Sequence, residues 1–111
     1  MRFPVNKYHA CRVGNYASLK EYRRAQALKL MLAAGQISDL REQVPFVLIP
    51  AQRGDDGRVV EHACRYIADF VYTDRQTGRQ VVEDTKGYRT KEYIIKRKLM
   101  LHVHGIAIRE I

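Results

Sequence analysis

The sequence predicts a mixed α/β (α+β) domain with element order αβββαβ, a four-stranded mixed sheet flanked by helices. Three observations predict it. A run of strong helix formers lies between a capping box and a glycine stop. Three strand-like segments then follow, separated by polar turns. A second helical segment leads into a short alternating tail.

The first helix is expected over residues 18–34. Ser18-Leu19-Lys20-Glu21 fits the capping-box pattern and Gly35 is a suitable stop. Ala25, Leu28 and Leu32 fall on one stripe, which Glu21 extends toward the helix start, so a carboxylate would lie on the buried side. Residues 37–42 read as a connector. Residues 43–51 read as a strand containing Phe46-Val47-Leu48-Ile49, and 53–58 as a turn. A second strand is expected over 61–73, a turn over 74–79, and a third strand over 80–86, ended by Gly87. The second helix is expected over 90–101 with Ile94, Ile95 and Leu99 on its apolar side, and the last strand over 106–111. Residues 1–17 read as an irregular arm carrying Lys7, Tyr8, Arg12 and Tyr16, and residues 18–111 as the domain proper.

With 111 residues, the chain has room for one domain and one modest core. No apolar run is long enough to cross a bilayer, and the first residues show no secretory pattern. Cys11 and Cys64 are too few for a disulfide scaffold, which favours a reduced, cytoplasmic setting. The formal net charge of +8 suits a polyanionic partner, although charge alone does not identify one.

The candidate chemistry lies on the second and third strands. Asp69 interrupts Tyr66-Ile67-Ala68-Asp69-Phe70-Val71-Tyr72, and Asp84 and Lys86 lie two apart in Glu83-Asp84-Thr85-Lys86-Gly87. Residues two apart on a strand share a face. Pairing about a turn centred on Gln76 and Thr77 places Asp69 opposite Asp84, whereas a slip of one residue would separate them. Opposed carboxylates repel unless a cation lies between them, and carboxylate oxygens suit Mg²⁺ or Mn²⁺. Lys86 could steady the charge that develops on a phosphate, and Glu21 could reach the same place if the first helix packs across the sheet. The chemistry described is phosphodiester hydrolysis.

Each member also has a purely structural account. Glu21 could simply close the capping box with Ser18, Asp84 and Lys86 could form an exposed polar face, and Asp69 could be buried in a salt bridge with Lys86. The pair His102 and His104 lacks a third ligand nearby and reads as structural, and the cysteines lack zinc spacing.

Taken together, Tyr66-Ile67-Ala68-Asp69-Phe70, Glu83-Asp84-Thr85-Lys86-Gly87, and Tyr93 with Lys96 and Lys98 resemble the PD-(D/E)XK nuclease superfamily. The likeness is to small phage and prophage proteins of unknown function placed there, and extends from about Lys7 to Ile111. It implies a restriction-endonuclease-like fold. In that fold Asp69 and Asp84 would be metal-binding acids, Lys86 the catalytic lysine, the Thr85 carbonyl a further ligand, and Glu21 the helix carboxylate completing the site. Ala68 stands where the superfamily has proline, and Asp84 where glutamate is commoner.

Arg89, Lys91, Lys96, Arg97 and Lys98 would form a nucleic-acid track, although a solvated helix face explains any one of them alone. Lys96 and Lys98 cannot share a helix face, since two residues turn about 200°. The resemblance thus implies a Mg²⁺- or Mn²⁺-dependent endonuclease acting on double-stranded or branched DNA in a phage-infected or lysogenic bacterial cytoplasm. It would act as a homodimer or with a phage or host partner protein. A catalytically silent nucleic-acid-binding module, or a subunit inert outside a larger complex, are the competing expectations.

Overall fold

The structure, a computed structural model, describes residues 14–111. The expected N-terminal arm, with Lys7, Tyr8, Cys11 and Arg12, lies mostly outside the described residues. The described residues divide into two compact units, one formed by residues 14–40 and 72–80, the other by 41–71 and 81–111.

In the first unit, helix α1 (Leu19–Ala33) begins at Ser18, whose extended backbone and side-chain oxygen cap the Glu21 N–H. The Glu21 carboxylate accepts the Ala17 N–H at 3.1 Å, so the capping box closes one residue before the cap. Gly35, at φ +75°, ends the helix in the left-handed conformation that lacks a steric penalty only for glycine. Glu21, Ala25 and Leu28 are buried as the stripe requires, but Leu32 is 41% exposed because the last helical turn faces solvent.

Strand β1 (Ile37–Ile49) begins in this unit, so residues 37–42 are strand rather than connector. Asp39 and Gln43 have positive φ (52° and 53°), and a left-handed residue breaks the alternation by which a strand is recognised in sequence. The turn at 74–79 also belongs here. The Asp74 N–H donates to the Arg79 carbonyl at 2.9 Å, which sets the expected register at the turn itself.

The second unit contains the remainder of β1, a hairpin of β2 (Gln52–Arg53) and β3 (Val59–Glu61), most of β4 (Cys64–Asp74) and β5 (Gln80–Asp84), helix α2 (Lys91–His104) and β6 (Arg109–Glu110). Apart from the hairpin, which the sequence suggested only as a turn, the element order is αβββαβ. The sheet order is β1-β4-β5-β6, with β6 parallel to β5 and Glu110 beside Asp84. The sheet is therefore mixed and the class α+β.

Leu48, Tyr66, Ala68, Val71, Val82, Tyr93 and Met100 form the core of this unit. Each large member contributes on the order of 1.5–3 kcal/mol by leaving water. Ala68 and Val71 of β4 both belong to this core.

Helix α2 is capped by Thr90, whose hydroxyl accepts the Tyr93 N–H, and ends at left-handed Gly105. Tyr93 and Met100 form its buried side. Ile95 is 58% exposed, which corrects the expected stripe of Ile94, Ile95 and Leu99. The helix continues to His104, so His102 and His104 are helical. His104 Nε2 lies 2.7 Å from the Val47 carbonyl oxygen, a structural role. Among the described residues, no helix is long and apolar enough to cross a membrane.

Candidate functional site

Asp84 closes β5 and is 1% exposed. Its Oδ2 accepts the Tyr66 hydroxyl at 2.5 Å. Its Oδ1 is buried and has no hydrogen-bond donor among the described residues. The Lys86 ammonium stands 3.4 Å from that oxygen. A buried carboxylate with one unsatisfied oxygen is costly, and a cation is the usual compensation. Burial raises the Asp84 carboxyl above the ordinary aspartate value. The Tyr66 hydrogen bond opposes the rise, the nearby Asp69 charge adds to it, and Lys86 again opposes it. The Tyr66 phenol is pushed up, by burial first and then by its bond to Asp84.

Asp69 is held differently. Its Oδ2 accepts both the N–H and the hydroxyl of Thr85 at 2.8 Å, and its Oδ1 accepts the Gln43 amide at 3.4 Å. A carboxylate oxygen offers about two acceptor sites, so Oδ2 is filled while Oδ1 keeps one free. The two acids are thus joined through Thr85, the residue after Asp84, and are close enough for each charge to act on the other. Tyr66 and Thr85 thus link the two strands at the acids, Tyr66 to Asp84 and Thr85 to Asp69.

Lys86 lies beyond the end of β5, in the loop before α2, so the loop and not strand alternation brings its ammonium to Asp84. It pairs with Asp84, whereas a salt bridge with Asp69 was the structural alternative. The near-complete burial of Asp84 also rules out an exposed polar face. The Lys86 ammonium sits 4.8 Å from the centre of the Tyr93 ring. Glu21 belongs to the first unit, where it is 5% exposed and serves the helix cap.

The sequence reading missed Tyr66, Gln43 and Glu110. Glu110, beside Asp84 on β6, accepts the Tyr93 hydroxyl and Arg89 Nε, both at 2.9 Å, and Arg97 Nη1 at 3.3 Å. Hydrogen bonding from Arg89 is the main cause that holds its carboxyl below the usual glutamate range. The available signal was its place in an alternating final strand after a helix rich in basic residues, which is too common a pattern to be specific.

Among the described residues, no group of three or more His, Cys, Asp or Glu side chains is gathered as a metal cage. Two carboxylates, each with an oxygen left partly free, still fit Mg²⁺ or Mn²⁺. Such ions are commonly held by one or two carboxylates, with water and substrate oxygens completing the shell. The buried Asp84 Oδ1, which has no hydrogen-bond donor among the described residues and only the Lys86 ammonium at 3.4 Å beside it, supports that fit.

Beside the acids lies a cleft of about 300 Å³, lined in part by Arg65, Tyr66, Lys86, Tyr93 and Lys96. Both partners of Asp84 face it. Of the expected nucleic-acid residues, Lys96 lines the cleft and pairs with Glu92 at 3.2 Å, while Arg89 is committed to Glu110. Lys91 is exposed at the start of α2, and Lys98 lines a separate hollow with Arg97 and Leu101.

A protein-family model described as "Protein of unknown function (DUF1064)" matches residues 5–107. No curated protein and no solved structure matches the chain.

Proposed function

The chain belongs to the DUF1064 family, and from its second unit we propose a metal-dependent endonuclease that hydrolyses DNA phosphodiester bonds. One observation carries the reading. A buried aspartate leaves an oxygen without a donor, beside a second aspartate and a lysine, at the edge of a basic cleft. The reading includes a restriction-endonuclease-like core, for which the order αβββαβ is the support.

Asp69 and Asp84 would hold Mg²⁺ or Mn²⁺. A bound ion would supply a Lewis acid and an activated water. Thr85 anchors the Asp69 carboxylate at Oδ2 through two donors. Tyr66 anchors Asp84 at its Oδ2 through one hydroxyl donor. Lys86 carries its charge to the cleft edge, where it would stabilise the charge that builds on the phosphate. Arg65 and Lys96 would attract the polyanionic strand without reading its sequence. The Thr85 carbonyl remains a proposed further ligand on the strength of the resemblance. Branched DNA is the proposed substrate, and a homodimer or partner protein would supply the second cut.

A second reading, a nucleic-acid-binding module without cleavage, is favoured by the absence of a three-acid group among the described residues. The test is cleavage of labelled four-way junction, duplex and single-stranded DNA with Mg²⁺, Mn²⁺ or EDTA, beside Lys86→Ala. Metal-dependent cutting that the variant loses supports the nuclease. Binding without cutting in every metal supports the module.

A further inference from the structure

Strand β1 holds a feature that strand pairing does not require. Gln43 has φ 53°, in the left-handed region where a side chain crowds its own backbone. Glycine or asparagine would take this conformation with less strain. Strained residues persist where their surroundings hold them and where the side chain so placed has a use. The Gln43 amide Nε2 donates to Asp69 Oδ1 at 3.4 Å. The left-handed turn re-aims the side chain relative to its neighbours on the strand.

The bond falls on the oxygen that matters. Asp69 Oδ2 is filled by Thr85, so only Oδ1 has capacity for a cation. With Thr85 alone, the carboxylate is anchored at one oxygen. With Gln43 as well, it is held at both, and the remaining site on Oδ1 points in one direction. We propose that Gln43 is a positioning residue of the candidate metal site, holding Asp69 so that Oδ1 faces the cation. This inference rests on the reading of Asp69 as a metal ligand.

The test uses the full chain as wild type, Gln43→Gly and Gln43→Asn. Both replacements suit a positive φ, and neither side chain can reach Asp69 as glutamine does. Thermal melting in EDTA reads the fold, and Mn²⁺ titration followed by electron paramagnetic resonance reads the site. The expected result is a melting temperature equal to or above that of wild type, with Mn²⁺ affinity weakened roughly two- to tenfold in both variants. A residue with only a structural role would move the melting temperature and leave the affinity unchanged. Unchanged affinity in both variants overturns the inference while the metal reading stands. A wild type that binds no Mn²⁺ overturns the metal reading and this inference with it.

Discussion

Asp84 and Glu110 are neighbours on adjacent parallel strands, yet their surroundings treat them in opposite ways. Glu110 is surrounded by donors: two arginines and a tyrosine occupy its oxygens, and its carboxyl is held below the usual range. Asp84 is more deeply buried, receives one hydroxyl, keeps one oxygen with no hydrogen-bond donor and only the Lys86 ammonium at 3.4 Å, and has its carboxyl raised. A carboxylate that serves structure is satisfied by the fold. A carboxylate that the fold buries and leaves unsatisfied destabilises the metal-free protein and has capacity for a cation. The proposed function rests on that contrast.

The largest expected effect comes from removing the unsatisfied acid. Asp84→Asn should lower metal-dependent cleavage by about a hundredfold or more while leaving DNA binding nearly unchanged, as cleavage and gel-shift assays would read. Loss of binding or folding instead would make Asp84 structural. Lys86→Ala should reduce cleavage by a similar order. Mn²⁺ affinity should hold or rise, because the ammonium no longer competes for Asp84 Oδ1. A variant that binds less Mn²⁺ would mean that Lys86 organises the acids instead.

Tyr66→Phe sharpens the contrast from the other side. It strips Asp84 of its one hydroxyl donor and leaves the Lys86 ammonium as the partner of a buried carboxylate. Chemical denaturation should register a loss of about 1–3 kcal/mol. Glu110→Gln should cost less, about 1 kcal/mol, because the site is partly exposed and the amide oxygen can still accept from Arg89 or Tyr93. Its Mn²⁺ affinity should match that of wild type.

Much of this contrast could not be read from the sequence. Asp69, Asp84 and Lys86 stood out because charge interrupts strand-like runs, and the same apolar patterning outlined both helices and the three main strands. The partners of the acids did not stand out. Tyr66 reaches Asp84 across the strands, a contact between residues far apart in the chain that no local pattern marks. Left-handed Asp39 and Gln43 hid the first half of β1 for the same reason, since nothing in the residue names marks a positive φ. The Asp84–Glu110 pair depends on a parallel contact between strands separated by a helix, and local patterning carries no register across such a crossover.

The two acids also predict opposite responses to pH. Between the ordinary aspartate value and the raised value of folded Asp84, the folded chain binds a proton that the unfolded chain has lost. The Asp84 contribution to stability therefore falls as pH rises through that window. For Glu110, the folded chain is the less protonated one, so its contribution is present above the ordinary glutamate value and is lost as pH falls through the lowered one. Denaturation curves across the acid range should show Asp84→Asn removing the first slope and Glu110→Gln the second.

The most direct test is thermal melting of wild type and Asp84→Asn, each in EDTA and in excess Mn²⁺. An ion that binds only the folded form raises its stability by mass action. In EDTA the variant should melt at or above wild type, because the amide removes a buried charge while its ion-pair partner Lys86, 34% exposed, can be solvated without it. In Mn²⁺ the wild type should rise and the variant should not. A variant that melts lower in EDTA, or one that gains as much from Mn²⁺ as wild type does, would contradict the account: Asp84 would then be a structural acid, and the metal, if bound, would lie elsewhere.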